Sequence, residues 1–87
     1  KAWNNIGSLY EALGNIEMAR DAWQGGIKFD PVHEEMNVNL ARIDHALWKS
    51  NPTSMSKDHI TNRLQFVLAL YPENEKAIEL LKLVEKE

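Results

Sequence analysis

The sequence predicts an all-α chain of five helices, on three observations. Apolar residues recur at three- and four-residue steps along most of its length, the period of a helix face. Breakers interrupt that pattern at Gly14-Asn15, Asp30-Pro31, Asn51-Pro52-Thr53-Ser54 and Tyr71-Pro72. Residues suited to helix N-caps, Asn15 and Ser56, stand directly before two of the periodic stretches.

The first helix is expected over residues 2–13, where Trp3, Ile6, Leu9, Tyr10 and Leu13 share the helical period. Gly7 lies inside it and costs about 1 kcal/mol relative to alanine. Close approach of the next helix at Ala19 would offset that cost. Gly14 supplies a left-handed stop, and Asn15 caps a second helix over 16–29. Ala19, Ala22, Trp23, Gly26, Ile27 and Phe29 are its apolar residues, Glu17 favours its positive end, and Gly26 faces the following helix. Gly25 reads as a local weakness. Asp30-Pro31 closes this unit and opens a third helix over 33–49, with Met36, Leu40, Ile43 and Leu47 on one face. Ser56 caps a fourth helix that runs to Leu70, with Asp58 in its first turn and Ile60, Leu64 and Val67 as its core. Tyr71-Pro72 closes it, and a fifth helix fills 74–87.

Eight of these residues form a spaced pattern. Trp3, Ile6, Gly7 and Tyr10 give W-x2-I-G-x2-Y, and Ala19, Trp23, Gly26 and Pro31 give A-x3-W-x2-G-x4-P. The pattern resembles the tetratricopeptide repeat (TPR), a helical hairpin of about 34 residues. The resemblance is strong over 1–31 and degraded beyond. Asn37 and Asp44 stand where a second unit would carry tryptophan and tyrosine, while Leu40-Ala41 keeps the paired large and small residues. The closing prolines, Pro31 and Pro72, are 41 residues apart, and the surplus falls between the third and fourth helices. In the fifth helix Ile78 and Leu81 match Trp3 and Ile6, but Lys82 and Glu85 replace Gly7 and Tyr10, as in the solvating cap that ends such arrays. The resemblance implies a single domain over 1–87: a first repeat at 1–31, a degenerate second at 32–72 and a cap at 73–87. It implies a right-handed superhelical stack of antiparallel helix pairs, a TPR-like α-solenoid. Because the chain starts at Lys1 with Trp3 already in the pattern, the expectation is the C-terminal piece of a longer protein.

In that family the first helix of each unit lines a concave face that holds a peptide or another protein. Carried over, the face consists of Lys1, Asn4, Ser8 and Glu11 from the first helix and Glu35, Val38, Asn39, Arg42 and His45 from the third, to which the fifth would add Leu80 and Leu83. The family's clamp for a terminal carboxylate uses lysine and asparagine on the first unit. Asn4 and Ser8 replace them here, and Asn39 alone fits. A carboxylate needs charge-assisted donors, and Arg42 is the one firm cation of the stretch. Leu80 and Leu83 add a second apolar stripe to the fifth helix, beside Leu81 and Val84. It either packs on neighbouring helices or serves self-association.

Composition bounds the function classes. The 87 residues carry a net charge of −3, with 44% apolar and 26% charged residues, an ordinary balance for a globular chain. No basic footprint for nucleic acid stands out. There is no cysteine, and no apolar run approaches the length of a membrane span. The sequence fixes no compartment. His33 and His45 are twelve residues apart and make no helical zinc pair, so neither metal nor cofactor is expected. Glu34-Glu35 diverge on a helix and read as charges favouring its N-terminus. Ser54, Ser56, Asp58 and His59 read as capping chemistry rather than a nucleophile. Trp3 and Trp23 read as core, and Trp48 as a lid over the loop that follows it. The expectation is a non-catalytic protein-interaction scaffold, with homo-oligomeric self-association through helix 5 or the N-terminal face as the alternative.

Overall fold

The computed structural model describes residues 2–87. All regular structure in it is helical: α1 (Ala2–Ala12), α2 (Ile16–Phe29), α3 (Glu34–Ser50), α4 (Lys57–Leu70) and α5 (Glu75–Lys86). The second and fourth helices have the expected bounds almost to the residue, because caps and breakers coincide there. The Asn15 side chain accepts from the Met18 amide at 3.2 Å, and Ser56 Oγ accepts from the His59 amide at 3.3 Å. Gly14 takes a φ of 82°, and the Asn15 amide donates back to the Tyr10 carbonyl at 2.9 Å. Those bonds satisfy the carbonyls that a helix end leaves unpaired.

The start of α3 differs from expectation. Pro31 lies in the turn, and His33 is the N-cap, its ring Nδ1 accepting from the Met36 amide at 3.1 Å. The same turn recurs 41 residues later. The Asp30 amide donates to Gly26 as the Tyr71 amide donates to Val67, and His33 bonds back to Asp30 as Asn74 does to Tyr71. Asn74 then caps α5 through the Ala77 amide at 2.9 Å, as His33 caps α3. The two connections thus share one local design. The third helix, with 17 residues against 11 in α1, takes up part of the longer spacing.

The helices pack in chain order, each on the next, and α3 also touches α5. The shortest dimension is 19 Å, about two helix diameters. Two cores result. Ala19, Trp23, Met36, Leu40 and Ile43 form the first, between α2 and α3 with Tyr10 against it. Val38, Ala41, Ile60, Leu64, Val67, Ala77 and Val84 form the second, joining α3, α4 and α5. Helix α3 is the shared wall, feeding alternate faces into each core. No helix among the described residues is long and apolar enough to cross a membrane.

Three sequence expectations about packing need correction. The close neighbour of Gly7 is Trp23, not Ala19: a Cβ there would lie 2.3 Å from Trp23 Nε1. The large indole, fully buried and donating from Nε1 to the Asn4 carbonyl at 3.2 Å, occupies the space that glycine vacates. Trp3 is not core. It is 40% exposed, lies over Gly25 and Gly26, and stacks on Phe29 with centroids 5.9 Å apart. Gly25 therefore is not an unexplained weakness, since a Cβ there would lie 2.9 Å from the Trp3 ring. Gly26 faces α3 as expected, with Met36 Sδ in the position a methyl would need. Trp48 is half-buried against the second core, and its ring stacks on His45.

Candidate functional site

The odd-numbered helices bring their polar side chains to one face. Asn4 and Glu11 are seven residues apart, two turns along α1, and so share a side of that helix. Glu35, Asn39 and Arg42 do the same on α3 at steps of four and three. Five residues expected on the inner face form a continuous ladder across the two helices. Asn4 Nδ2 donates to Glu35 Oε1 at 3.0 Å, and Asn39 Nδ2 donates to Asn4 Oδ1 at 3.1 Å. Arg42 Nη2 donates to Asn39 Oδ1 at 3.2 Å and to Glu11 Oε1 at 3.0 Å, while Nη1 bonds the second Glu11 oxygen. Arg42 also lies 5.9 Å from the Trp23 ring centroid, within cation–π range. The hydrogen bond from Arg42 is the main reason the Glu11 carboxyl is held below its ordinary pKa; burial opposes it, and the Arg42 charge adds to it.

The remaining predicted residues separate. Ser8 is exposed on α1, and Lys1 lies outside the described residues. Val38 is buried and forms a floor rather than a reaching contact. His45 is a correction: it is buried, and its Nε2 sits 2.6 Å from Glu87 Oε1, so it is not an open contact of the groove. Glu87 also meets Lys49 at 3.1 Å. The bond to His45, then that to Lys49, holds its carboxyl below the ordinary range.

Between α3 and α5 runs a trough. Its upper part, about 420 Å³, is lined by Glu34, Glu35, Val38, Asn39, Asn74, Glu75 and Lys76. Its lower part, about 390 Å³, is lined by Val38, Arg42, Lys76, Glu79, Leu80 and Leu83. Val38 and Lys76 border both. Leu80 packs partly on the second core, whereas Leu83 stays 46% exposed on the trough wall. The sequence reading missed Glu34, Asn74, Glu75, Lys76 and Glu79. Helical spacing carries the signal for Lys76, because residues 76, 80 and 83 fall on one face. Glu34 is held by Asn74 Nδ2 at 2.8 Å, which ties the start of α3 to that of α5.

A second polar cluster, also missed, lies among α2, α3 and α4. Asp44 is 1% exposed and receives Arg20 Nε at 2.6 Å and His59 Nε2 at 3.0 Å. Asn37, likewise buried, accepts from Arg63 Nη1 at 2.9 Å and donates to the carbonyls of Pro31 and His33. Burial pulls Arg63 below the usual guanidinium range; the Asp44 charge opposes this and the Arg20 charge adds to it. Every polar link here joins two helices or a helix and its entry turn, so the cluster works as a brace.

No protein-family model matches the sequence, and no curated protein is significantly similar to it.

Proposed function

We propose that this chain is a non-catalytic protein-interaction scaffold, a TPR-like stack of antiparallel helix pairs, which holds a segment of another protein along the face of α1, α3 and α5. The trough between α3 and α5 carries this reading. It combines an apolar floor of Val38, Leu80 and Leu83 with polar walls, the mix that fixes both affinity and orientation of a bound chain. The ladder on α1 and α3 supports it, because those side chains are already ordered and a ligand does not have to immobilise them. The test is selection from a random-peptide display library, followed by NMR shift mapping of a selected peptide. Shifts should centre on Glu35, Val38, Asn39, Lys76, Leu80 and Leu83. A library that gives no binder, or shifts centred on Ile27, Arg63 and Phe66, would refute the reading.

A second reading, self-association through the N-terminal face, rests on α1 and the turn that follows it. Ile6, Leu9 and Leu13 are 43%, 60% and 71% exposed. At the matching positions 34 residues on, Leu40 and Ile43 are buried and Leu47 packs against the first core. Light scattering across a concentration range tests it, and a monomer at all concentrations removes it.

A further inference from the structure

We infer that the segment held in the trough is basic, with an apolar side chain for its lower end; this rests on the groove reading above. The ladder disfavours the opposite option. Arg42 already gives two donors to Glu11 and one to Asn39, so an incoming carboxylate meets a cation whose charge is already paired.

The walls then set the sign. Glu34 and Glu35 at the start of α3, with Glu75 and Glu79 on α5, line the trough; among the described residues the cations of its lining are Lys76 and Arg42. The N-termini of α3 and α5 each count as roughly half a positive charge. Together with Lys76 they amount to about two positive charges facing four carboxylates, and Arg42, the other cation of the lining, is offset by its pair with Glu11, so the trough stays negative by about two. Glu34 and Glu35 each give one oxygen to an asparagine amide, from Asn74 and Asn4, which holds the carboxylate in place with its second oxygen unbonded among the described residues. Farther down, Val38, Leu80 and Leu83 offer an apolar hollow beside the Lys76 stem. Lysine or arginine at one end and a leucine- or phenylalanine-sized side chain at the other complement both halves.

The experiment uses the full chain and two fluorescein-labelled probes, a peptide of repeated Leu-Lys-Lys-Leu and one of repeated Leu-Glu-Glu-Leu, read by fluorescence anisotropy. The lysine probe should bind and weaken with added salt. Glu34→Gln, Glu35→Gln and Glu75→Gln combined should weaken it about tenfold, the order that three solvent-facing charge pairs amount to. Glu17→Gln with Asp21→Asn, on α2, should leave it unchanged. Lys76→Glu should tighten it, a gain that a misfolded variant would not show. Equal loss with the α2 control, no response to the glutamine variants, or preference for the glutamate probe would overturn the inference. A library-selected acidic peptide seated in the trough would overturn it while leaving the groove reading intact. A library with no binder would instead fail the groove reading.

Discussion

Gly7→Ala isolates the contact that joins α1 to α2. An alanine methyl would lie 2.3, 2.5 and 2.7 Å from three atoms of the Trp23 indole, against an ordinary contact of 3.4 Å or more. The ring is fully buried between Ala19, Met36, Leu40 and Ile43, so it has to move by about an ångström against a filled core. Overpacking of this kind costs roughly 1–3 kcal/mol, and loss of the Trp23–Asn4 hydrogen bond adds about 1 kcal/mol. Better helix propensity returns about 1 kcal/mol. The net expectation is a loss of about 2 kcal/mol, or roughly 10 °C in melting temperature for a domain of this size. Thermal unfolding followed by far-UV circular dichroism measures it. The second unit suggests the rescue. Ala41 and Leu64 stand there where the first unit has Gly7 and Trp23, and both are buried in the second core. Gly7→Ala combined with Trp23→Leu should therefore be less harmful than the two losses added, with a coupling of about 1 kcal/mol or more. An unchanged or raised melting temperature in Gly7→Ala, or strict additivity in the pair, would refute the close-packing argument.

Asp44→Asn removes the buried charge between Arg20 and His59 and should destabilise the fold by about 2–4 kcal/mol, measured by urea unfolding. Arg42→Glu should leave the fold intact, costing at most about 1 kcal/mol because the Arg42–Glu11 pair faces solvent, yet change peptide binding; if it unfolds the chain, Arg42 is structural. In acid, Glu11 and Glu87 both have folded pKa values lowered by their partners. Their stabilisation is complete above the ordinary value of 4.5 and is lost as the pH falls from there through the lowered values. The acid limb of a melting-temperature profile should therefore flatten in Glu11→Gln relative to the parent chain.

Helix count, the bounds of α2 and α4 and the apolar face of α3 were legible because each rests on local chemistry: a cap, a breaker or a period. What failed rests on tertiary partners. Pairing Gly7 with Ala19 looks reasonable if small residues meet small residues, but a vacancy can equally admit a large flat ring, and spacing alone does not distinguish the two. The place of Trp3 in the motif points to the core. In the fold it lies on Gly25 and Gly26, stacks on Phe29 and remains part-exposed. His33 is an unusual cap, and its ring nitrogen does what an asparagine or serine oxygen ordinarily does. On the candidate site, Asn4, Glu11, Glu35, Asn39 and Arg42 do gather on one face. Their saturation by one another, and the burial of His45, depend on distances between helices that no spacing reveals.

The missed brace gives a reason for polar residues at positions 37 and 44, where the sequence resemblance leads one to expect aromatic ones. Asn37 and Asp44 flank Leu40 and Ala41 at three-residue steps, so the helical period places them on the buried side. Polar groups there have to be satisfied or they destabilise. Asp44 meets that demand only when α2 presents Arg20 and α4 presents His59, and Asn37 only when α4 presents Arg63. Where the first unit fixes helix separation by filling space with Trp23, the second fixes registry by chemistry that a sliding helix would break. A buried ion cluster adds little net stability over apolar packing. Replacing Asn37, Asp44 and Arg63 together with apolar residues should thus retain helicity, while NMR of the methyl groups on α4 should show more than one packing state. A single sharp set of methyl signals in that variant would show that the second core alone fixes the registry.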